Sequence, residues 1–129
     1  MSKTMSADKL EQMFELREEF MQMLCSQIDG YYPQWPVDVS KKESQVLLRD
    51  VTLKGVEEIF EALQELKNAK VHRQTDLPHF DRDAFLEENV DALNYFFTTL
   101  KLVGVSPDEL HKAYVKKHNK ICRRLKEGY

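Results

Sequence analysis

The stretch "GVEEIFEALQEL", Gly55 to Leu66, combines an apolar stripe with closely spaced glutamates, and it decides which fold the chain can adopt. At 3.6 residues per turn, the apolar residues fall on one side of a helix and most of the glutamates lie nearly opposite. Taken alone, this pattern is typical of a surface helix whose polar face is solvated. The alternative is a metal site. The stripe comprises Val56, Ile59, Phe60, Leu63 and Leu66, and the glutamates are Glu57, Glu58, Glu61 and Glu65.

Length and composition limit the possible classes of protein. The chain has 129 residues, 42% of them hydrophobic and 32% charged, with four Gly and four Pro, which predicts a single mainly helical domain spanning residues 1–129. The net charge of -3 indicates no general attraction to nucleic acid polymers. The first ten residues, "MSKTMSADKL", lack the apolar segment of a signal peptide, and no later run is long enough to span a membrane. We therefore expect a cytoplasmic protein with no membrane partner. Cys25 and Cys122 lie far apart in helical patterns and are expected to be reduced thiols.

Apolar periodicity and capping signals predict the first two helices. The first runs from Leu10 to Ile28 and ends at the turn residues of "DGYYPQWPVD". Ser40 and Glu43 form a capping box from which a second helix extends to about Asn68. Gly55 is a point at which this helix could kink or break. The polar stretch "KVHRQTDLPHF" that follows is predicted to be a loop.

Two further helices follow the loop. Asp81 can cap a third helix that reaches Val103, and Gly104 suits its C-terminal stop. Ser106, Pro107 and Glu109 mark the start of a fourth helix, with proline at the first helical position. No segment alternates with a period of two for long enough to form a strand. The sequence therefore predicts an all-α fold, a compact bundle of four helices.

The third helix carries a second acidic pair in "FLEENVDALNYFF". Glu88 and Asp91 lie off its apolar stripe and, being three residues apart, project side by side about 60° apart on the helix. Their face continues with Tyr95 and Leu102, so we expect this side of the helix to contact something other than solvent. Two helices that each present carboxylates at positions i and i+3 can surround a hard divalent cation, whereas without a cation the same groups repel one another. This repulsion is the reason to expect Mg²⁺, for which Mn²⁺ can substitute. The apolar stripe comprises Phe85, Val90, Leu93, Phe96, Leu100 and Val103.

The complete acidic pattern is EExxE at Glu57, Glu58 and Glu61, then 26 intervening residues, then ExxD at Glu88 and Asp91. In this pattern the chain resembles the all-α nucleoside triphosphate pyrophosphohydrolases, which include the MazG-like enzymes and the all-helical dUTPases and dCTPases. The ending "GVSPDELHKAYVKKHNKICRRLKEGY" is similar to the tail of phage-type dUTP and dCTP pyrophosphatases. The resemblance covers residues 16–129.

This resemblance implies a fold, a reaction and an assembly. The fold would be a four-helix MazG-like bundle that forms a homodimer or homotetramer. Glu58, Glu61, Glu88 and Asp91 would hold the metal, and Glu57 is the candidate general base. The reaction would convert a nucleoside triphosphate and water into a nucleoside monophosphate and pyrophosphate, which cleans the nucleotide pool.

Cations at apolar positions give a second signal that does not depend on the acidic motif. Arg17 falls in the apolar stripe of the first helix, and Lys117 and Arg124 share an apolar face of the fourth. They form ion pairs with the acidic residues of the second and third helices, or extend to the rim of the protein, or bind a triphosphate. By position, the resemblance implies phosphate contacts for Lys117 and Arg124. The asparagine that the family carries between them is replaced here by Ile121.

Four further residues are candidates for substrate binding. His72 and Arg73 lie in the predicted loop, where the alternative is a solvated surface. Trp35 is either a loop anchor or a residue that stacks on the base. Tyr95 continues the acidic face of the third helix.

Residues on the first helix bear on the choice of base. All-helical dUTPases carry a QxxLN motif there, but Arg17 and Met21 occupy the positions of its Gln and Asn. The amides that would read a pyrimidine edge are therefore missing, which predicts relaxed deoxynucleotide specificity with dUTP or dCTP among the better substrates.

Two other classes of protein also carry acidic helices. A di-iron carboxylate bundle needs a Glu-x-x-His on each of two helices, but this chain has none, and Asp108 with His111 only approaches it. The remaining alternative is a non-enzymatic helical interaction module whose acidic face binds a basic partner.

Overall fold

A computed structural model describes residues 5–72 and 80–128, which form four α-helices and no strand. The prediction of an all-α protein is therefore confirmed for the described residues. None of the helices in these ranges has the length and apolar character needed to cross a lipid bilayer. The helices are α1 (Lys9–Gln27), α2 (Lys42–Leu63), α3 (Arg82–Leu102) and α4 (Pro107–Glu127).

The chain divides into two compact units, and each is described by itself. Unit 1 consists of Met1–Pro36 and Leu100–Tyr129 and contains α1, α4 and the last turn of α3. Unit 2, Val37–Thr99, contains α2 and most of α3.

The predicted caps of α3 and α4 are confirmed, and each satisfies a backbone N–H that the helix leaves unpaired. The N–H of Ala84 donates to Asp81 Oδ1 at 3.0 Å. The N–H of Glu109 donates to the Ser106 hydroxyl at 3.1 Å, with Pro107 in the first turn. Gly104 adopts φ +81°, the left-handed conformation expected just after a helix.

The predicted boundaries of α2 are wrong at both ends. Ser40 does not cap the helix, because its hydroxyl and its N–H both donate to Asp38 Oδ1, at 2.6 and 3.0 Å. Because Ser40 is hydrogen-bonded in the turn at Asp38, it does not form the capping box, and α2 begins at Lys42 without a side-chain cap. The helix ends at Leu63 rather than near Asn68, since the N–H groups of Gln64 and Glu65 form tighter turn bonds to Glu61 and Ala62.

A break at Gly55, which the sequence allows, does not occur, because α2 continues through this residue without interruption. The glycine allows close packing instead. A Cβ atom added at Gly55 would lie 3.2 Å from Tyr95 Cβ and 3.6 Å from the carbonyl oxygen of Ala92. The absence of a side chain therefore lets α2 and α3 approach each other closely within unit 2.

Gly55→Leu is expected to destabilise the protein by about 1–3 kcal/mol, the usual cost of overpacking a well-packed contact. In Gly55→Ala, the gain in helix propensity, about 1 kcal/mol, offsets part of the strain at 3.2 Å. Urea unfolding of the three proteins tests this order. Equal stability of the leucine variant and the wild type would show that the close approach does not constrain the helix pair.

Unit 1 packs around the inner side of α1. Phe14 and Met21 are buried, and the ammonium of Lys101 lies 5.8 Å from the centroid of the Phe14 ring. The same ammonium pairs with Glu18 Oε1 at 3.1 Å. Trp35 Nε1 donates to this oxygen at 3.0 Å, which ties the segment after α1 to the helix. Cys25 and Cys122 are free thiols, as expected.

Candidate metal centre

The contact between α2 and α3 at Gly55 involves Tyr95 and Ala92, on the helix faces that carry the carboxylates rather than on the apolar stripes. On α2, Gly55 and Ala62 share the packed face with Glu58, since they are spaced three and four residues apart. On α3, Tyr95 faces Gly55, and Asp91 lies one turn before it on the same face. The helix faces that carry the carboxylates are therefore turned toward each other. This agrees with the expectation that the acidic side of α3 contacts something other than solvent.

Three carboxylates from these two helices converge. Glu58, Glu88 and Asp91 each offer an oxygen, and these oxygens all lie within 4.8 Å of one another. Glu61, one turn after Glu58, lies close enough to both Glu58 and Glu88 to raise the pKa of each. The structure thus brings together three of the four residues that the resemblance implies as metal ligands, with the fourth, Glu61, next to them.

The convergence changes the acidity of two of these groups. Burial and then the neighbouring carboxylate of Glu61 raise the pKa of Glu58 above its ordinary value, with smaller contributions from Asp91 and Glu88. The pKa of Glu88 is raised by burial and by Glu61, Asp91 and Glu87. Like charges held this close disfavour the ionised forms, so the cluster attracts either protons or a cation.

One atom of the cluster lacks any partner for its lone pairs. Oε2 of Glu88 is buried, yet no donor among the described residues reaches it. Buried oxygens in native proteins are nearly always satisfied, and an exception calls for a proton, a water or an ion. A set of carboxylate oxygens is the donor set that Mg²⁺ and Mn²⁺ prefer. The residues present therefore fit a hard divalent cation.

The other predicted site residues of unit 2 are not among the converging carboxylates. Glu57 is exposed on α2 and is not among the converging carboxylates. Tyr95 is half-buried, next to the Asp91 side of the contact. His72 is exposed in the segment after α2. Arg73 lies outside the described residues.

The cationic and aromatic candidates belong to unit 1. Arg17 is buried, with its guanidinium 4.6 Å from the centroid of the Phe20 ring. Trp35 is half-buried and hydrogen-bonded to Glu18, which supports the interpretation as a loop anchor. Lys117 and Arg124 are exposed on α4.

Two residues outside the predicted set shape the acidic site. The sequence indicates Gly55 only as a place where α2 could kink, whereas its close approach to Tyr95 brings the two acidic helices together. Glu87 adds to the negative charge around Glu88, and no sequence motif marks it. The available signal was the spacing of Gly55 and Ala62 on the face that carries Glu58, since small residues at this spacing indicate close helix packing.

Comparisons with models of protein families, with curated proteins and with solved structures gave no match.

Proposed function

We propose that the protein is a Mg²⁺-dependent nucleoside triphosphate pyrophosphohydrolase, which converts a deoxynucleoside triphosphate and water into a deoxynucleoside monophosphate and pyrophosphate. The observation that carries this proposal is the convergence of Glu58, Glu88 and Asp91 within 4.8 Å, with Glu61 beside them. These residues are the second and third glutamates of EExxE and both acidic residues of ExxD, the pattern on which the resemblance rests. The proposed place of action is the cytoplasmic nucleotide pool.

The acidic residues have two roles in the proposed reaction. Glu58, Glu61, Glu88 and Asp91 would hold Mg²⁺ between two helices that pack closely at Gly55. Bound there, Mg²⁺ would neutralise phosphate oxygens and increase the acidity of water. Glu57, exposed and next to Glu58 in the sequence, is the proposed general base that accepts the proton of the attacking water. A bond forms between the water oxygen and the α-phosphorus, the bond to the bridging oxygen breaks, and pyrophosphate leaves.

Cationic residues are proposed to offset the charge of the triphosphate. Lys117, Arg124 and Arg17 are candidates, with His72 and Arg73 from the loop after α2, and Trp35 and Tyr95 are candidates for contacts to the nucleoside. An ammonium acts on phosphate as a point charge, whereas an arginine can form a bidentate contact.

Lys117→Ala is expected to weaken triphosphate binding by about tenfold while leaving nucleoside binding unchanged. A hydrogen bond to a charged group contributes about 1.5–3 kcal/mol, and the nucleoside offers no phosphate to Lys117. Calorimetric titration with a non-hydrolysable triphosphate and with the matching nucleoside measures both affinities. An equal loss for the two ligands would assign Lys117 to a structural ion pair.

The proposed assembly is a MazG-like bundle that forms a homodimer or homotetramer. Support comes from the apolar stripes of α2 and α3, which the chain leaves between 39% and 61% exposed at Val56, Ile59, Phe60, Leu63, Val90, Leu93 and Phe96. Between these helices runs a groove of about 550 Å³, with Val56 and Ile59 on one wall and Leu93 and Phe96 on the other. Exposed apolar surface of this extent is typical of a protein–protein interface.

Base selection is expected to be relaxed, because Arg17 and Met21 cannot supply the amide donors and acceptors of a QxxLN motif. In addition, Met21 is completely buried, and the Arg17 guanidinium lies over the Phe20 ring. We expect dUTP or dCTP to be among the better substrates, with ribonucleotides less favoured. Comparing kcat/KM for dUTP, dCTP, dTTP, dATP and dGTP tests this. A preference for dUTP of about a thousandfold or more, the scale at which hydrogen bonds select a substrate, would contradict it.

The proposed function is tested by incubating the protein with Mg²⁺ and a panel of nucleotides, with pyrophosphate release as the readout. Release above background that EDTA abolishes supports hydrolysis at a metal centre. A folded protein that releases no pyrophosphate from any nucleotide would instead favour a non-enzymatic module with an acidic face.

A further inference from the structure

Helix α4 carries an apolar side that the described residues of unit 1 do not cover. None of its residues is buried, and from His111 to Glu127 every side chain except that of Cys122 is exposed. Tyr114 and Leu125 are 73% and 74% exposed, and Val115 and Ile121 are 44% and 45% exposed. A helix of this length gains most of its stability by packing an amphipathic face, so α4 needs a partner surface.

The spacing of this apolar side is that of a two-helix seam. Tyr114, His118, Ile121 and Leu125 follow each other at intervals of four, three and four residues. In the same unit, α1 presents Met13, Leu16, Phe20 and Met23 at intervals of three, four and three residues. These four side chains are 45–51% exposed. Unit 1 thus holds two unpartnered seams of similar length.

The charges that border the two seams are complementary. Helix α4 carries seven Lys or Arg against three Asp or Glu, a net charge of +4, so the rest of the chain carries -7. On α1, Glu19 borders the seam, and Glu15 lies one turn before it on the same side of the helix. On α4, Arg124 borders the seam, and Lys120 likewise lies one turn before it on the same side. Pairs of this kind beside an apolar seam set partner choice and orientation in helix assemblies.

We propose that α4 of one copy packs against α1 of a second copy, and that the symmetric contact forms at the same time. Within unit 1, α1 and α4 already contact each other and still leave both seams exposed, so the described residues of this unit do not supply the missing surface. A contact in which α1 meets α4 and α4 meets α1 is self-complementary, as a two-fold interface requires. An acidic partner is needed opposite the basic flank, and the second copy provides one.

This inference rests on the assembly proposed above, for which it names a surface, but not on the hydrolytic chemistry.

The experiment mixes two variants with opposite charge reversals. The first variant is Glu15→Lys with Glu19→Lys, and the second is Lys120→Glu with Arg124→Glu. Alone, each variant sets like charges against each other in both contacts, so we expect a monomer at a micromolar concentration where the wild type is a dimer or tetramer. In a 1:1 mixture both contacts have opposite charges. The mass measured by light scattering is then expected to return to at least that of a dimer, with helicity measured in parallel.

A matched control tests whether the position of the reversed charges on α4, rather than the size of the charge change, causes the loss of assembly. Lys116→Glu with Arg123→Glu makes the same charge change in α4 but on the side opposite the seam, and it is expected to keep the wild-type mass. Wild-type mass in both seam variants, or a mixture that stays monomeric, would overturn the proposed contact while leaving the assembly in place. A monomeric wild type would overturn both the contact and the assembly, and neither result bears on pyrophosphate release.

Discussion

Glu61→Gln and Asp91→Asn are each expected to lower pyrophosphate release by more than about a hundredfold while the helical content remains that of the wild type. Removing a residue that only orients a metal ligand typically costs 10–100-fold, so removing a charged ligand itself is expected to cost more. Each substitution keeps the size of the side chain and removes one negative charge from beside Glu58 and Glu88, whose pKa values the neighbouring carboxylates raise. Folding is therefore expected to be preserved, because repulsion between the carboxylates falls. The measurement is kcat with dUTP or dCTP at saturating Mg²⁺, with circular dichroism as the check on folding.

Matched controls come from the same two helices. Glu43→Gln in the first turn of α2 and Asp83→Asn in the first turn of α3 make the same chemical changes outside the cluster. They are expected to keep wild-type activity. If the variants of Glu61 and Asp91 also hydrolysed nucleotide at the wild-type rate, the acidic residues would only cover a surface.

The caps of α3 and α4 were predictable from the sequence because each depends on an interaction only a few residues long. Asp81 and Ser106 accept from the N–H groups of Ala84 and Glu109, three residues further on. Local chemistry alone therefore determines where the two helices begin.

The start of α2 could not be predicted in the same way, because two local patterns compete for one serine. Ser40 with Glu43 fits a capping box, but Asp38 lies two residues earlier and accepts from both the N–H and the hydroxyl of Ser40. An aspartate that bonds to groups two residues ahead is itself a common turn signal. The sequence contains both the capping box and the turn signal at Asp38. Which of the two forms depends on the path of the backbone before α2.

The acidic residues of the site were predictable, whereas the side of each helix that is packed was not. Periodicity assigned Phe60 and Phe96 to apolar stripes, but they remain 61% and 49% exposed. The packed sides instead carry Gly55, Glu58 and Ala92, because only small residues allow the close approach seen between Gly55 and Tyr95. An apolar stripe indicates that a helix side will be covered, but not whether the same chain or another copy covers it.

The same cluster gives the metal-free protein a defined pH dependence. The pKa values of Glu58 and Glu88 are raised above the ordinary value of 4.5, so above pH 4.5 the folded state binds more protons than the unfolded state. These two groups therefore make stability fall as the pH rises from about 4.5 through their raised values. The groups that face them are Glu61 on α2 and Asp91 and Glu87 on α3, all of them acidic.

Glu88→Gln is expected to raise the melting temperature of the metal-free protein at pH 7 and to abolish its stabilisation by Mg²⁺. The amide removes one of the repelling charges and can donate to the neighbouring carboxylate of Glu61, so the decline in stability toward neutral pH also becomes shallower. In the wild type, Mg²⁺ at a hundredfold excess over its Kd is expected to stabilise the folded state by about 2.7 kcal/mol, because it binds only that state. Melting curves in EDTA and in Mg²⁺, at pH 5 and pH 7, measure both effects, with Glu43→Gln as the matched control. If the variant melted below the wild type in EDTA and was still stabilised by Mg²⁺, Glu88 would be a structural partner within the helix pair. Loss of a metal ligand from a self-repelling site would instead raise the melting temperature in EDTA and remove the stabilisation by Mg²⁺.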